Sequence, residues 1–417
     1  MTTVANQPAA GGAAQQAAGL PRLLPAAPED LRAHLARYGP APYRNQSGAL
    51  IAEVEASGLT GRGGAAFPVH RKLAAVARAG VRQGRTVVVA NGAESEPASR
   101  KDELLLQLAP NLVLDGLQLT AEAVGAAEAH LYLHYAPGPQ ILRALAERAA
   151  RGLDRINVTI TQAPPRFLAG QETAVLNRLG GGPALPTFQP PRVSERGLGG
   201  APTLVQNVET LAHLALIARH GPRWFREMGT DEDPGTFLAT MSGCVVSPGV
   251  REFPYGVPLG ATLHAVGGPT AVVQAVLVGG FHGAWVPPDA GIPITRRTLH
   301  PFLAAPGAGL VMALPVDACG LVASATIADY LAEQSAGQCG PCRIGLPQMA
   351  QTLRQLADGE RSTVLAGRVE RLTAVVSGRG ACHHPDGTAR FVRSSLRAFK
   401  REVDLHLAGG CRTRGGA

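Results

Sequence analysis

Thr86-Val87-Val88-Val89-Ala90-Asn91-Gly92 is the stretch that decides the fold. A β-branched run that ends in a glycine turn reads as a short strand stopping at Gly92. Outward from it, Leu104 to Ala127 carries the apolar spacing of a helix. His130 to Tyr135 then reads as a strand, Gln140 to Arg151 as a helix, and Ile156 to Thr161 as a further strand. Strand, helix, strand, helix, strand in that order predicts an α/β unit with a parallel sheet. Farther on, Thr236 to Ser242, Ser247-Pro248-Gly249-Val250 and Ala271 to Gly279 form a smaller strand-rich unit. After Leu321 come three or four helical stretches, read as a small bundle.

A chain of 417 residues is too long for one ordinary core and should hold two or three domains. Six cysteines including a Cys-x-x-Cys pair suggest metal or redox chemistry in a reducing compartment rather than a disulfide framework. Met1 to Leu24 is rich in Ala, Gly and Gln and lacks a basic start and a compact apolar stretch. It reads as a disordered tail, not a signal peptide. Phe302 to Ala328 is mostly apolar, but Pro306, Pro315, Asp317 and several glycines interrupt it. A buried strand followed by a helix is expected there, since a spanning helix needs about 20 predominantly apolar residues. The net charge of +8 comes from scattered arginines, and aromatics make up only 4% of the chain, which argues against a stacking platform for nucleic acid. A basic surface that meets an acidic redox partner is the simpler account.

The loop Gly61-Arg62-Gly63-Gly64-Ala65-Ala66-Phe67-Pro68 carries chemistry. Glycines allow positive φ and let backbone N–H groups approach a phosphate, while Arg62 and Lys72 add fixed charge. Alone, such a loop is more often a plain tight turn. Glu94 and Glu96, taken alone, read as two solvated acids.

Further motifs follow in order: Asn91-Gly92-Ala93-Glu94-Ser95-Glu96-Pro97, Gly170-Gln171-Glu172-Thr173-Ala174, Gly200 to Thr210, and Ser335-Ala336-Gly337-Gln338-Cys339-Gly340-Pro341-Cys342-Arg343. The series resembles the NADH-binding flavoprotein subunit of respiratory complex I and its relatives in hydrogenases and formate dehydrogenases. The resemblance implies a Rossmann-like FMN-binding α/β domain over 29–230, a β-grasp soluble-ligand-binding domain over 231–318 and a helical iron–sulfur domain over 319–408. Disordered tails are expected at 1–28 and 409–417. It assigns Gly61, Arg62, Gly63, Gly64, Lys72, Asn91, Glu94, Gly170, Glu172, Asn207 and Thr210 to FMN, and Phe67 and Glu96 to the nicotinamide side. No catalytic side chain is expected, because the flavin carries the hydride chemistry. Departures cluster on the nicotinamide side: Ala75 replaces an aromatic, and Gln189 and Arg192 replace the usual Lys and Phe. Gln171 and Gln206 replace a more usual Glu and Asn. Local similarity to the C subunit of the Rnf electron-transport complex is also present, but that subunit's separate ferredoxin-like cysteine cluster is lacking.

By the same resemblance, Cys339, Cys342 and Cys382 hold an iron–sulfur cluster, and Ala336 stands where a [4Fe–4S] cluster would take its fourth thiolate. Three readings stay open: a non-cysteine ligand such as His383 or His384, a [3Fe–4S] or labile cluster, and an empty loop. Cys319 is expected to be a core thiol, Cys244 not to be a ligand, and Cys411 to lie in a disordered end. The expected activity is electron transfer from NADH through FMN and the iron–sulfur centre to a ferredoxin-like or thioredoxin-like iron–sulfur partner within a larger redox complex. The protein should be cytoplasmic or peripheral to a membrane complex, without membrane insertion or nucleic-acid binding. The rivals are a flavoprotein exchanging electrons with ferredoxin instead of NADH, and a non-catalytic binding or assembly module.

Overall fold

The computed structural model of the protein describes residues 21–46, 48–187 and 191–411. After two short helices, α1 (Leu31–Tyr38) and α2 (Ala49–Ser57), α3 (Val69–Gln83) leads into β1 (Val87–Gly92). Then follow α4 (Lys101–Leu108), α5 (Pro110–Val124), β2 (Glu128–Leu133), α6 (Pro139–Ala150), β3 (Val158–Gln162), α7 (Glu172–Leu179), β4 (Thr203–Asn207) and α8 (Val208–Arg226). The four strands form one parallel sheet in the order β3-β2-β1-β4. The apolar run expected as one helix from Leu104 to Ala127 is two helices. Pro110 cannot donate a backbone hydrogen bond and its ring crowds the turn before it, so the chain breaks at Ala109 and restarts with Pro110 in the first turn.

The second unit comprises β5 (Thr236–Gly243), β6 (Gly249–Pro254), α9 (Leu259–His264), β7 (Val273–Val278), β8 (Ala284–Val286), α10 (Arg296–Leu299) and β9 (Leu310–Pro315). Its sheet runs β6-β5-β9-β7-β8, with β5 and β9 parallel at the centre and antiparallel pairs on either side. Two hairpin pairs flanking a parallel central pair, with a helix between them in sequence, give the β-grasp arrangement. Phe302 to Ala328 resolves into β9 and the start of a helix, as its broken apolar pattern requires. The terminal bundle is α11 (Gly320–Glu333), α12 (Leu346–Ala357), α13 (Val364–Val376), α14 (His384–Ala398) and α15 (Lys400–Leu407), five helices where three or four are legible by pattern. Among the described residues no helix is long and apolar enough to cross a membrane.

The ordered part of the chain begins before residue 28. Leu23 is fully buried and Leu24 nearly so, and the N–H groups of Arg22 and Leu23 both donate to the Glu252 carboxylate at 2.8 Å. Two leucines in an otherwise small-residue segment are enough apolar area to dock it. At the other end, residues 409–411 belong to the fold, with Cys411 packed against the bundle core. Residues 1–20 and 412–417 lie outside the described residues.

The α/β core depends on one close helix crossing. A Cβ added at Gly116 of α5 would lie 2.0 Å from the Leu211 carbonyl oxygen of α8, so backbone meets backbone there. Beside it, the buried Asp115 accepts from His34 at 2.8 Å and is paired with Arg148 at 2.8 Å and with Arg219, which pins α1, α6 and α8 to the same helix. Gly116→Ala should cost about 1–3 kcal/mol or more by overpacking, despite alanine's better helix propensity. Denaturant midpoints compared with Gly138→Ala, where the nearest atom is 3.4 Å away, check this.

Candidate functional site

The parallel sheet creates a crevice at one place. From β1 the chain passes outward to β2 and β3 on one side, while β4 pairs on the other, so the strand order reverses between β1 and β4. Helices leave opposite faces at such a point, and a groove opens beyond the strands' carboxyl ends. Asn91 and Asn207 are register partners at those ends. Asn91 donates from Nδ2 to the Gly170 carbonyl at 2.9 Å and accepts from the Ala93 N–H at 3.1 Å. Asn207 caps α8, accepting from the Glu209 N–H at 3.0 Å, and donates to Asp102 at 2.6 Å. Gly170 has to be a glycine: a Cβ there would lie 2.8 Å from the Ala93 carbonyl.

The glycine loop lies over this crevice. Gly61 N–H donates to the Phe67 carbonyl at 2.9 Å and Arg62 N–H to the Thr210 hydroxyl at 2.9 Å, which closes the loop and ties it to α8. Gly64 (φ +106°) and Ala66 (φ +48°) take left-handed backbone, and a Cβ at Gly63 would meet the Asn207 side chain at 3.3 Å. Gly63, Gly64, Ala65 and Ala66 lie in and just after the turn at 62–65, and among the described residues their N–H groups make no hydrogen bond of good geometry. Four undonated amides on a strained loop fit the phosphate of a mononucleotide. Lys72 Nζ pairs with Glu172 at 2.7 Å in the same region, and Phe67 is 43% exposed, a ring face open to a flat ligand. Gln206 contributes a buried Nε2 with no protein partner, and Gln171 caps α7 through its side chain. Arg62 departs from its expected part. Its guanidinium turns inward to Thr60, to the Pro234 carbonyl at 3.3 Å and over the Tyr255 ring at 4.7 Å, so its charge braces the loop instead of facing the crevice. Phe188, Gln189 and Pro190 lie outside the described residues.

The two carboxylates are not solvated. Glu94 accepts from the Ser99 hydroxyl, from Lys101 N–H at 2.7 Å and from Glu103 N–H at 3.2 Å, at the amino end of α4. Burial first and Asp102 second push its pKa up to about 7. Glu96 accepts from the Phe281 N–H of the second unit at 2.8 Å, leaves Oε1 unpartnered, and is pushed up to about 7 by burial. Beneath them lies a cluster that the motif reading missed. Lys101 Nζ contacts Asp102 at 2.7 Å and Glu209 at 2.9 Å, all three buried, and Glu209 accepts from the Leu238 N–H of β5 at 2.9 Å. A Lys-Asp pair opening a helix resembles a solvated face; its partner lies 108 residues away in sequence.

In the terminal bundle, Cys342 sits in a π-helical turn, Pro341–Gly345, that starts α12. Cys339 and Cys382 face it closely enough that each thiol's ionisation bears on another's. Nearby backbone amides favour the thiolate forms: Ala336 for Cys342, Ala381 and Cys342 for Cys339, and His384 for Cys382. Three such thiols fit an iron–sulfur cluster. Histidine is poorly placed as a fourth ligand. His384 bonds to the Leu331 carbonyl at 2.8 Å through Nε2 and to His282 at 3.0 Å through Nδ1, and the His383 side chain is fully exposed. Ala336 packs against the same apolar cluster as Cys339 and Cys342.

Comparisons with known proteins agree with this layout. Residues 54–216 match the Nuo51 FMN-binding domain, and residues 322–406 the NADH-ubiquinone oxidoreductase-F iron–sulfur binding region. The NADH-quinone oxidoreductase F subunit numbered 2 of Rhizobium meliloti is 31% identical over 376 residues, covering 86% of this chain and 88% of the relative. The corresponding F subunit of Escherichia coli is 29% identical over 381 residues, covering 86% and 84%. The crystal structure of an NAD+-reducing [NiFe]-hydrogenase in its H2-reduced state superposes with a TM-score of 0.82 at 29% identity, over 91% of this chain and 67% of that one. A domain pair, a nearly full-length alignment and a shared backbone thus converge on one conclusion: the chain belongs to the family of NADH-quinone oxidoreductase F subunits.

Proposed function

We propose that the protein is an NADH-oxidising flavoprotein subunit that passes electrons through an iron–sulfur centre to a partner within a larger redox complex. The observation that carries the reading is the crevice between β1 and β4, where paired asparagines, Lys72 and four undonated loop amides converge. Bound there, FMN would accept a hydride as an electron pair, and a cluster on Cys339, Cys342 and Cys382 would carry the electrons on one at a time. The chain's own part is positioning. Amides of residues 63–66 and Lys72 bind the phosphate, Gln206 offers its unpartnered Nε2 to the ring edge, and Asn91 and Asn207, bonded to Gly170, Ala93, Asp102 and Glu209, hold the walls of the crevice. Phe67 offers a face to the nicotinamide. The relatives' names, which make them subunits, support a multisubunit setting; a ferredoxin-like or thioredoxin-like iron–sulfur protein as the next acceptor is a further part of the proposal. The domain limits near 230 and 318 and a cytoplasmic, membrane-peripheral location belong to the same proposal.

Protein purified without oxygen should show a flavin spectrum that NADH bleaches; a flavin reduced only by ferredoxin would favour the rival flavoprotein. Lys72→Met should weaken FMN retention about 10- to 100-fold, from the loss of roughly 1.5–3 kcal/mol of charged hydrogen bonding, as read by equilibrium dialysis. Phe67→Ala should slow reduction by NADH in stopped flow and leave flavin content unchanged.

Glu96 gives a pH signature. With its folded pKa raised to about 7 from the ordinary 4.5, the folded protein holds a proton that the unfolded chain has lost between those values. Stability from this group is therefore full below about pH 4.5 and declines up to about pH 7. Glu96→Gln should raise the melting temperature at pH 8 more than at pH 5, since an amide has no ionisation to pay. An equal shift at both values would show the carboxyl to be charged throughout.

Three thiols without a fourth predict a labile centre. Ala336→Cys should raise iron content and lengthen cluster lifetime in air, with FMN content unchanged, by iron and sulfide assay.

A further inference from the structure

Outside the cysteine loop a second group of soft donors comes together. The sulfurs of Cys319 and Cys411 and a ring nitrogen of His406 all lie within 4.8 Å of one another, and Cys319 Sγ is 3.4 Å from His406 Nε2. We propose that these three residues form a binding site for a zinc-type divalent cation, separate from the centre on Cys339, Cys342 and Cys382.

The geometry suits such an ion. With metal–sulfur bonds of about 2.3 Å and metal–nitrogen bonds of about 2.0–2.1 Å, tetrahedral coordination sets ligand atoms roughly 3.5–3.8 Å apart. The group needs only a small contraction to reach that. The imidazole is already oriented. His406 Nδ1 lies 3.1 Å from the Leu356 carbonyl oxygen. A carbonyl only accepts, so Nδ1 carries the hydrogen and Nε2 presents a bare lone pair to the thiols. A backbone carbonyl on the far nitrogen is the usual outer support of a metal-bound histidine.

The chain is also folded to deliver the third donor. Cys319 stands at the amino end of α11 and His406 in the last turn of α15. After α15, Gly410 N–H donates to the Leu405 carbonyl at 2.8 Å and Gly409 N–H to the His406 carbonyl at 3.0 Å, with Gly409 at φ +83°. That pair of bonds is a Schellman turn, and it sends the chain back so that Cys411 meets the other two. A side chain at Gly409 would strike the Arg361 guanidinium.

Two sulfurs and an imidazole select zinc over the hard cations magnesium and calcium. On binding, two thiol protons pass to solvent, and the two thiolates balance the ion's charge. Cys319 and His406 are buried and Cys411 is half-buried. The ion would fasten the last helix of the bundle to its first.

The test uses the full chain purified anaerobically with zinc sulfate and dialysed, with zinc, iron and flavin measured in each sample. Wild type and Cys244→Ser should retain about one zinc per chain, and Cys411→Ser and His406→Gln less than about one fifth of that, at unchanged flavin and iron. Cobalt(II) loading should give tetrahedral visible bands and a sulfur charge-transfer band that Cys411→Ser lacks. Cys411 follows the last helix, so its variant keeps the test meaningful if His406→Gln folds poorly. Wild type without zinc, zinc retained in Cys411→Ser, or a Cys319–Cys411 disulfide in the anaerobic protein would each overturn the proposal.

Discussion

One buried ammonium group organises the crevice. Lys101 enters the interior against Asp102 and Glu209, and a lysine taken out of water without partners would lose its proton or unfold its surroundings. Burial pulls its pKa down, but the flanking carboxylates outweigh burial and hold the charge on. Each partner then extends the network. Asp102 receives Asn207, which starts α8, and Glu209 receives the first unit's neighbour, β5, through Leu238. Burial first, and the neighbouring Asp102 carboxylate second, make the adjacent Glu94 resist ionising. The crevice, the helix that frames it and the second sheet are therefore located by a single cation.

The alternation of β-branched strands with amphipathic helices made the α/β sheet and its order of elements readable, because strand and helix periods differ and Gly92 marks the carboxyl end of β1. The break at Pro110 was readable too, yet the apolar spacing runs straight across it and argues for one helix. Docking of Leu23 and Leu24 was hidden, since two leucines carry no period and their partner Glu252 lies far along the chain.

At the candidate site the glycines and asparagines are legible as motifs, but directions are not. Arg62 illustrates this. Its place in a glycine loop suggests a charge facing a ligand, while Tyr255 and the Pro234 carbonyl, remote in sequence, draw the guanidinium the other way. Glu94 and Glu96 look like surface acids because burial is a property of what folds over them. Cys411 looks like part of a loose end because the Schellman turn that returns it depends on Gly409 at φ +83°, in a Gly-rich stretch that composition reads as disorder.

The docked segment around Leu23 also bears on how the chain reaches this state. Its backbone contact with Glu252 spans 230 residues. At ribosomal speeds of about 5–20 residues per second, the segment emerges roughly 10–50 s before its anchor exists. During synthesis the Arg22 and Leu23 amides wait for the Glu252 carboxylate, so this contact of the docked segment closes only after every strand of the parallel sheet has been made.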